Sequence, residues 1–278
     1  MDRIDTVEAT MILPTYAMEK AIFPQMYERW LVGPLFRPWA ELTVEELGVS
    51  ASDRVLDIAC GTGIVARLAQ QRLGDAAYIV GIDISPAMLE VARSAAPSID
   101  WRQGSADALP LRDGEQFDVV ICQQGLQFFP NKAAAVAQMR RALVRGGKLA
   151  VSVWRSDEEI PFFRELRRVA EANLGPITDQ RYGYGDVSAL EALLRDAGFR
   201  DVRSRKLSCT MRFDDGASFV RMNSMALVGM SAAGKSMNDA ERHRILETIV
   251  TDSAPVLRAN TEKCLVFELS TNLATARA

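Results

Sequence analysis

The chain has 278 residues, 48% of them hydrophobic, and a formal net charge of -3. The length suits one large α/β domain with an insertion or a small cap. The charge argues against bulk attraction to nucleic acid or anionic membrane, and no apolar run approaches the ~20 residues needed to span a bilayer. Asp2, Asp5 and Glu8 near the start do not make a signal-peptide layout. Cys60, Cys122, Cys209 and Cys264 are far apart, beside predicted strands and without metal-ligand spacing. They read as reduced core residues of a cytoplasmic protein. His243 is the single histidine and follows Arg242 in a charged helical run, so a His-based metal site or a Ser-His-Asp triad would rest on that one residue.

Residues 1–50 read as helices punctuated by Pro14, Pro24, Pro34 and Pro38. Met26, Tyr27, Trp30 and Leu31 share an apolar face at helical spacing, which Leu35, Phe36 and Trp39 extend. Such a face packs a helix on a sheet edge, or closes over a ligand. The next stretch, RVLDIACGTGIVAR at 54–67, is the densest in signal. Val55–Ala59 suits a buried parallel strand, Gly61 and Gly63 make a turn, and Thr62–Arg72 carries helical periodicity. A glycine turn leading into a helix N-terminus lets a ligand approach free backbone N–H groups. Gly61-Thr-Gly63-Ile-Val-Ala66 also fits G-x-G-x-x-G/A, and Asp83 lies twenty residues past Gly63, where a dinucleotide fingerprint wants an acid. Asp57, within the strand, points instead to a positively charged ligand, or else to a cap.

Tyr78–Asp83 reads as a second strand, and Ser85-Pro86 as the start of a second helix. Asp83 would sit at a strand's C-terminal end, where a carboxylate can accept from a ribose diol. Ile99–Gln103 is a third strand, followed by Gly104-Ser-Ala-Asp-Ala-Leu-Pro110. Phe117–Cys122 is a fourth, followed by Gln123-Gln-Gly-Leu-Gln-Phe-Phe-Pro130. A helix over 131–145, ended by Gly146-Gly147, leads to a fifth strand, Leu149–Trp154. The alternation predicts a parallel sheet with helices on both faces. A helix from Arg155 to Gln180, a loop with Tyr182 and Tyr184, and a helix from Asp186 to Gly198 follow. Val202–Phe213 is a sixth strand, 217–258 a helical insertion rich in methionine, and Cys264–Leu273 a last strand. The methionines read as core filling or as an adaptable apolar lid. Ser231–Ser236 only partly matches a phosphate loop and has no strand leading into it.

The combination D-x-x-x-G-x-G at Asp57/Gly61/Gly63, Asp83, Ser105–Pro110, Phe117–Phe129 and Gly146-Gly147 resembles the class I S-adenosylmethionine-dependent methyltransferases. It looks most like the small-molecule enzymes related to those of quinone biosynthesis. The resemblance implies a Rossmann-like, seven-stranded, mostly parallel sheet with the last strand antiparallel, an N-terminal helical cover over 1–50, and a methyltransferase domain over 51–278. It implies S-adenosylmethionine as cofactor, held by Asp57, Ala59, Gly61, Gly63, Asp83, Ile84, Met88, Gly104, Ser105, Ala106, Gln123, Gln124 and Tyr27. Asp107 is a further candidate for the adenine edge. Tyr16, Trp30, Gln127, Trp154, Tyr182 and Tyr184 become candidates for the pocket of a small, partly apolar acceptor. No metal, nucleic acid or membrane insertion is expected, and a monomer or homodimer fits. Two rivals stay open: an NAD(P)-dependent oxidoreductase, and a protein that binds the cofactor without turnover.

Overall fold

A computed structural model describes residues 22–278; Tyr16 and the segment Met1–Thr10, candidates for the cover, lie outside the described residues. The chain enters through a short helix, α1 (Phe23–Tyr27), a wide-turned π-helical segment, Glu28–Phe36, and α2 (Arg37–Leu47). Pro34 lies inside the middle segment and lacks the N–H that a regular α-helical ladder needs. Alternating strands and helices follow: β1 (Val55–Ile58), α3 (Ile64–Leu73), β2 (Ile79–Asp83), α4 (Pro86–Ala95), β3 (Asp100–Gln103), β4 (Phe117–Gln123), α5 (Lys132–Ala142) and β5 (Leu143–Trp154). Then come α6 (Pro161–Leu174), α7 (Val187–Asp196) and β6 (Arg200–Phe213). The helices α8 (Gly216–Met230), α9 (Ala232–Ser236), α10 (Asp239–Asp252) and α11 (Ala254–Ala259) lead to β7 (Leu265–Arg277).

The seven strands form one sheet in the order β3-β2-β1-β4-β5-β7-β6. The pairs from β3 through β5 are parallel, and β7 runs antiparallel to both β5 and β6. Alternate side chains of each strand feed opposite layers. Leu56, Ile58, Val80, Ile82 and Val120 pack with Val136 and Met139 of α5 and Leu190 and Leu194 of α7. Val55, Ile79, Val119 and Ile121 pack with Val65 and Leu68 of α3, Leu89 of α4 and Val44 of α2. Because the chain winds from β1 outward to β3 and then crosses to β4, the C-terminal ends of β1 and β4 flank a topological switch point, where open α/β sheets bind ligands.

The insertion folds as helices α8 to α11, and Met222 and Met225 are buried among Met26, Leu174, Leu227 and Ile249. Beside it, Phe162, Phe163, Phe213, Phe219 and Phe267 form an aromatic core with Trp39 and Trp154. Cys60 and Cys122 are buried, and all four cysteines are free thiols. Among the described residues no helix is long and apolar enough to cross a membrane.

Two local expectations change. Gly146-Gly147 do not end a helix: α5 stops at Ala142 and β5 begins at once. The pairing of β4 with β5 jumps from Phe117↔Leu143 to Val119↔Lys148. The glycines fill that irregularity, where the Gly146 N–H donates to the Ala278 carbonyl and the Ala278 N–H to that of Gly147. The helix expected from Arg155 to Gln180 spans only Pro161–Leu174: Ser156 first caps a single tight turn at Asp157–Glu159, and Gly175 closes the helix.

Candidate functional site

The strand β1 ends in a backbone that few side chains tolerate. Ala59 has φ 57°, and Gln124, just past β4, has φ 53°. Left-handed non-glycine residues are uncommon and cluster at functional sites. Here both lie on the wall of one cavity of ≈ 350 Å³. Tyr27, Gly61, Asp83, Ile84, Ser85, Met88, Gly104, Ser105, Ala106 and Gly125 complete much of that wall. Ala59, Gly61, Asp83, Ile84, Met88, Gly104, Ser105, Ala106, Gln124 and Tyr27, all expected at one site, are thus brought together.

Asp83 is the charged group of this wall. Its Oδ2 accepts from the Gly61 N–H at 2.8 Å and its Oδ1 from the Ser85 N–H at 2.8 Å. A carboxylate oxygen has two lone pairs, so each oxygen keeps one for a ligand hydroxyl. Burial pushes the Asp83 carboxyl above its ordinary range, against the pull of those backbone donors. On the rim, Ile84 is 70% and Phe128 48% exposed. Large apolar side chains left open on one cavity suit a flat apolar ligand group. A nucleoside-bearing cofactor fits this set: diol acceptors from Asp83, apolar faces from Ile84, Met88 and Phe128, and close backbone from Gly61 and Gly104.

Asp57 and Gly63 do not line the cavity. Asp57 shares its strand face with Val55, so it points into the helix layer, where Oδ2 accepts from the Ala66 N–H at 3.1 Å. It is 1% exposed, and burial pushes its carboxyl up to about 8, with Asp83 adding to the rise. Gly63 has φ +88, and a Cβ there would sit 2.2 Å from the Trp101 ring; it makes room for a neighbouring side chain rather than for a ligand.

The sign of the Asp57 effect is testable. Between the carboxyl's ordinary value near 3.8 and about 8, the folded protein holds a proton that the unfolded chain has lost. Stability without cofactor therefore falls as pH rises through that window. Asp57→Asn should remove the fall, gaining on the wild type from pH ~5 to pH ~8 in thermal melts. A constant difference across that range would contradict it.

Gln123 also leaves the wall: its Nε2 donates to the Phe36 carbonyl at 3.2 Å, tying the cover to β4. Gln124 turns its Nε2 to Thr271 Oγ1 at 2.9 Å. The exposed Asp107 lies off the wall, and its carboxylate accepts from the Ser105 hydroxyl. Gln127 is buried with both amide atoms unpartnered among the described residues, and lines neither this cavity nor the next.

A second, smaller cavity of ≈ 130 Å³ lies beside the first, walled by Phe23, Leu31, Leu35, Phe36, Trp154, Phe163, Arg181, Tyr182, Phe219, Met222, Asn223, Ala226 and Leu269. Tyr27 of the first cavity and Phe36 of the second meet at 4.9 Å between ring centres, tilted by 33°, and Phe36 meets Trp154 at 6.2 Å. The ring pair is the partition between them. Trp154 and Tyr182, two of the acceptor candidates, line this second cavity. Trp30 and Tyr184 do not. Trp30 packs against the methionine cluster under Arg29, because its helical face turns toward α8 and α10. Tyr184 packs on the far core layer and donates to the Ala189 carbonyl at 3.3 Å. Phe128, Phe129 and Pro130 were not singled out as contacts, though they follow directly on the glutamine segment.

The cover is fastened by Arg67 of α3, whose Nη2 donates to both carboxylate oxygens of Glu28 at 2.8 and 3.0 Å. Tyr27 is held protonated by burial, with nearby Asp83 as a further cause. Burial likewise raises the Cys60 and Cys122 thiols, so neither is an activated nucleophile. Another cleft, at Glu46, Lys148, Arg203 and Arg277, lies at the opposite end of the sheet, where the parallel strands begin.

Comparison with known proteins fits this geometry. A family model described as "Methyltransferase domain" matches residues 56–151. A ubiquinone/menaquinone biosynthesis C-methyltransferase of Shewanella pealeana is 29% identical over 188 residues, covering 60% of this chain and 74% of that protein. A demethylmenaquinone methyltransferase of Lactococcus lactis is 28% identical over the same shares. Among solved structures, the YcgJ protein of Bacillus subtilis aligns with a TM-score of 0.56 and 21% identity, covering 86% of this chain and 97% of that one. A phosphoethanolamine N-methyltransferase of Haemonchus contortus, solved with S-adenosylhomocysteine, aligns with a TM-score of 0.56 and 16% identity over 95% of this chain and 57% of its own. Those two share the fold.

Proposed function

We propose that the chain acts as a class I S-adenosylmethionine-dependent methyltransferase whose acceptor is a small, partly apolar molecule held in the aromatic cavity beyond the Tyr27–Phe36 partition. The observation that carries this reading is the adjacency of two cavities of different chemistry: one with a carboxylate, glycine backbone and apolar rim, the other walled by aromatic rings. The wall residues named above, led by Asp83, Gly61 and Met88, would hold the cofactor. It supplies a methyl group already activated on a sulfonium.

The chain's own work is then positioning and exclusion of water. Tyr27 and Phe36, fastened by the Glu28–Arg67 pair, close the cover over the junction of the two cavities. Asp57 lies behind the glycine turn, where a cationic ligand would favour its ionised form. The polar side chains on the acceptor wall are Arg181, Tyr182 and Asn223. Burial raises the Tyr182 phenol, so it stays protonated, and neither of the others takes a proton. The acceptor therefore presents its lone pair without a side-chain base from this wall. The buried free thiols fit a cytoplasmic enzyme.

Ala226 faces the acceptor cavity, so Ala226→Phe tests the assignment. A panel of small aromatic acceptors should show methyl transfer by wild type, read as S-adenosylhomocysteine release. The variant should lose that transfer while binding S-adenosylhomocysteine as before. Full transfer by the variant, or turnover with macromolecular acceptors alone, would contradict the proposal.

A further inference from the structure

We infer that Asn223 reads a neutral oxygen on the acceptor, so that the substrate class is an apolar molecule of about single-ring size carrying a carbonyl or hydroxyl oxygen; this rests on the acceptor cavity proposed above. Asn223 sits in α8, is 5% exposed, and forms part of an otherwise largely apolar wall. Its Oδ1 accepts from Arg181 Nη1 at 2.9 Å. That bond fixes which way the amide faces, because the oxygen must lie toward the guanidinium and the NH2 group on the other branch. The Nδ2 group makes no hydrogen bond to any described residue, which leaves a free donor on the branch of the amide turned from Arg181, in a side chain that lines the cavity. An oxygen on the occupant of the cavity would satisfy it.

The neighbouring charges decide what kind of oxygen. Arg181 Nε donates to Asp179 Oδ1 and Oδ2 at 2.9 and 3.1 Å, and its Nη2 donates to Oδ2 at 2.6 Å. Behind this pair, Arg167 Nη1 meets Asp157 Oδ2 at 2.7 Å. Each guanidinium is matched by a buried carboxylate, so no uncompensated positive charge faces the cavity. A carboxylate or phosphate on the ligand would be desolvated without a counter-charge; a carbonyl or hydroxyl would not. Size sets the rest: ≈ 130 Å³ is close to the roughly 150 Å³ at which an apolar protein cavity admits benzene. Arg181 also lines the cavity, but its Nε and Nη2 are engaged by Asp179 and its Nη1 by the Asn223 oxygen, so here it and Asp179 act as positioning residues that fix the Asn223 amide.

Acetophenone and ethylbenzene test this directly, since they differ chiefly by one carbonyl oxygen. Each is titrated by NMR into protein saturated with S-adenosylhomocysteine. Wild type should bind acetophenone tighter by about five- to tenfold, the scale of one hydrogen bond in a dry site. Asn223→Leu removes both the donor and the amide oxygen, and should abolish the preference while leaving ethylbenzene binding intact. Asn223→Asp keeps an oxygen for Arg181 but has no NH2 group, and should abolish the preference too. Retained S-adenosylhomocysteine affinity verifies that each variant is folded. Equal binding of the two probes by wild type, or a preference surviving in both variants, would overturn the role of Asn223 and leave the acceptor cavity standing. Failure of ethylbenzene to enter wild type would overturn both.

Discussion

Replacing Gly63 with alanine should destabilise the protein by about 2–5 kcal/mol, combining an overpacked core with a left-handed backbone. Gly63 has φ +88, and an added Cβ would fall 2.2 Å from the Trp101 ring. The ring cannot retreat easily. Trp101 is 7% exposed, its Nε1 donates to the Ala96 carbonyl at 2.8 Å, and its other flank rests on Gly81. Urea denaturation of Gly63→Ala should show a lowered midpoint with an unchanged slope. Adding Trp101→Leu should recover part of the loss, because the smaller side chain yields the space, so the double variant lies above the sum of the singles. A Gly63→Ala loss within about 0.5 kcal/mol would show that the turn and ring adjust freely.

Replacing Asp83 with alanine should weaken S-adenosylhomocysteine binding by about 1–3 kcal/mol, roughly five- to 150-fold, the usual cost of removing one partner from charge-assisted bonds. The same change frees the Gly61 and Ser85 N–H groups, which both donate to this carboxylate. Some loss of stability is therefore expected alongside. Asp83→Asn separates the two effects, since its single oxygen can still serve one of the backbone donors while the charge is gone. Calorimetric titration should place Asn between wild type and Ala. Unchanged affinity in a variant with a lowered melting temperature would leave Asp83 with a structural role alone.

The fold was legible because its signals are local. A four-residue strand, apolar but for Asp57, a glycine turn and an amphipathic helix sit within residues 54–73, and the alternation of strand and helix repeats to residue 154. The cavity wall was legible wherever the end of a strand or the residue just past it reaches the cavity, as at Asp83, Ala59 and Gln124. Asp57 and Gly63 were misplaced for a geometric reason: motif spacing identifies residues near a turn but not which face they present. Strand alternation puts Asp57 on the side of Val55, away from the cavity. The aromatic cavity was hardest to read, because its wall runs from Phe23 to Leu269 and joins five distant segments. Asn223 carries no spacing signal at all; among the buried apolar residues of α8 it is a polar exception whose partner, Arg181, lies 42 positions away.

We propose that the cavity at the ends of β1, β2 and β4 takes a sulfonium cofactor and not a dinucleotide. Calorimetric titration of the wild-type chain with S-adenosylhomocysteine, with NAD in parallel, tests it most directly. Micromolar binding of S-adenosylhomocysteine and none of NAD is the result expected. Binding of NAD alone would rule out the sulfonium cofactor and leave Asp57 as a buried cap.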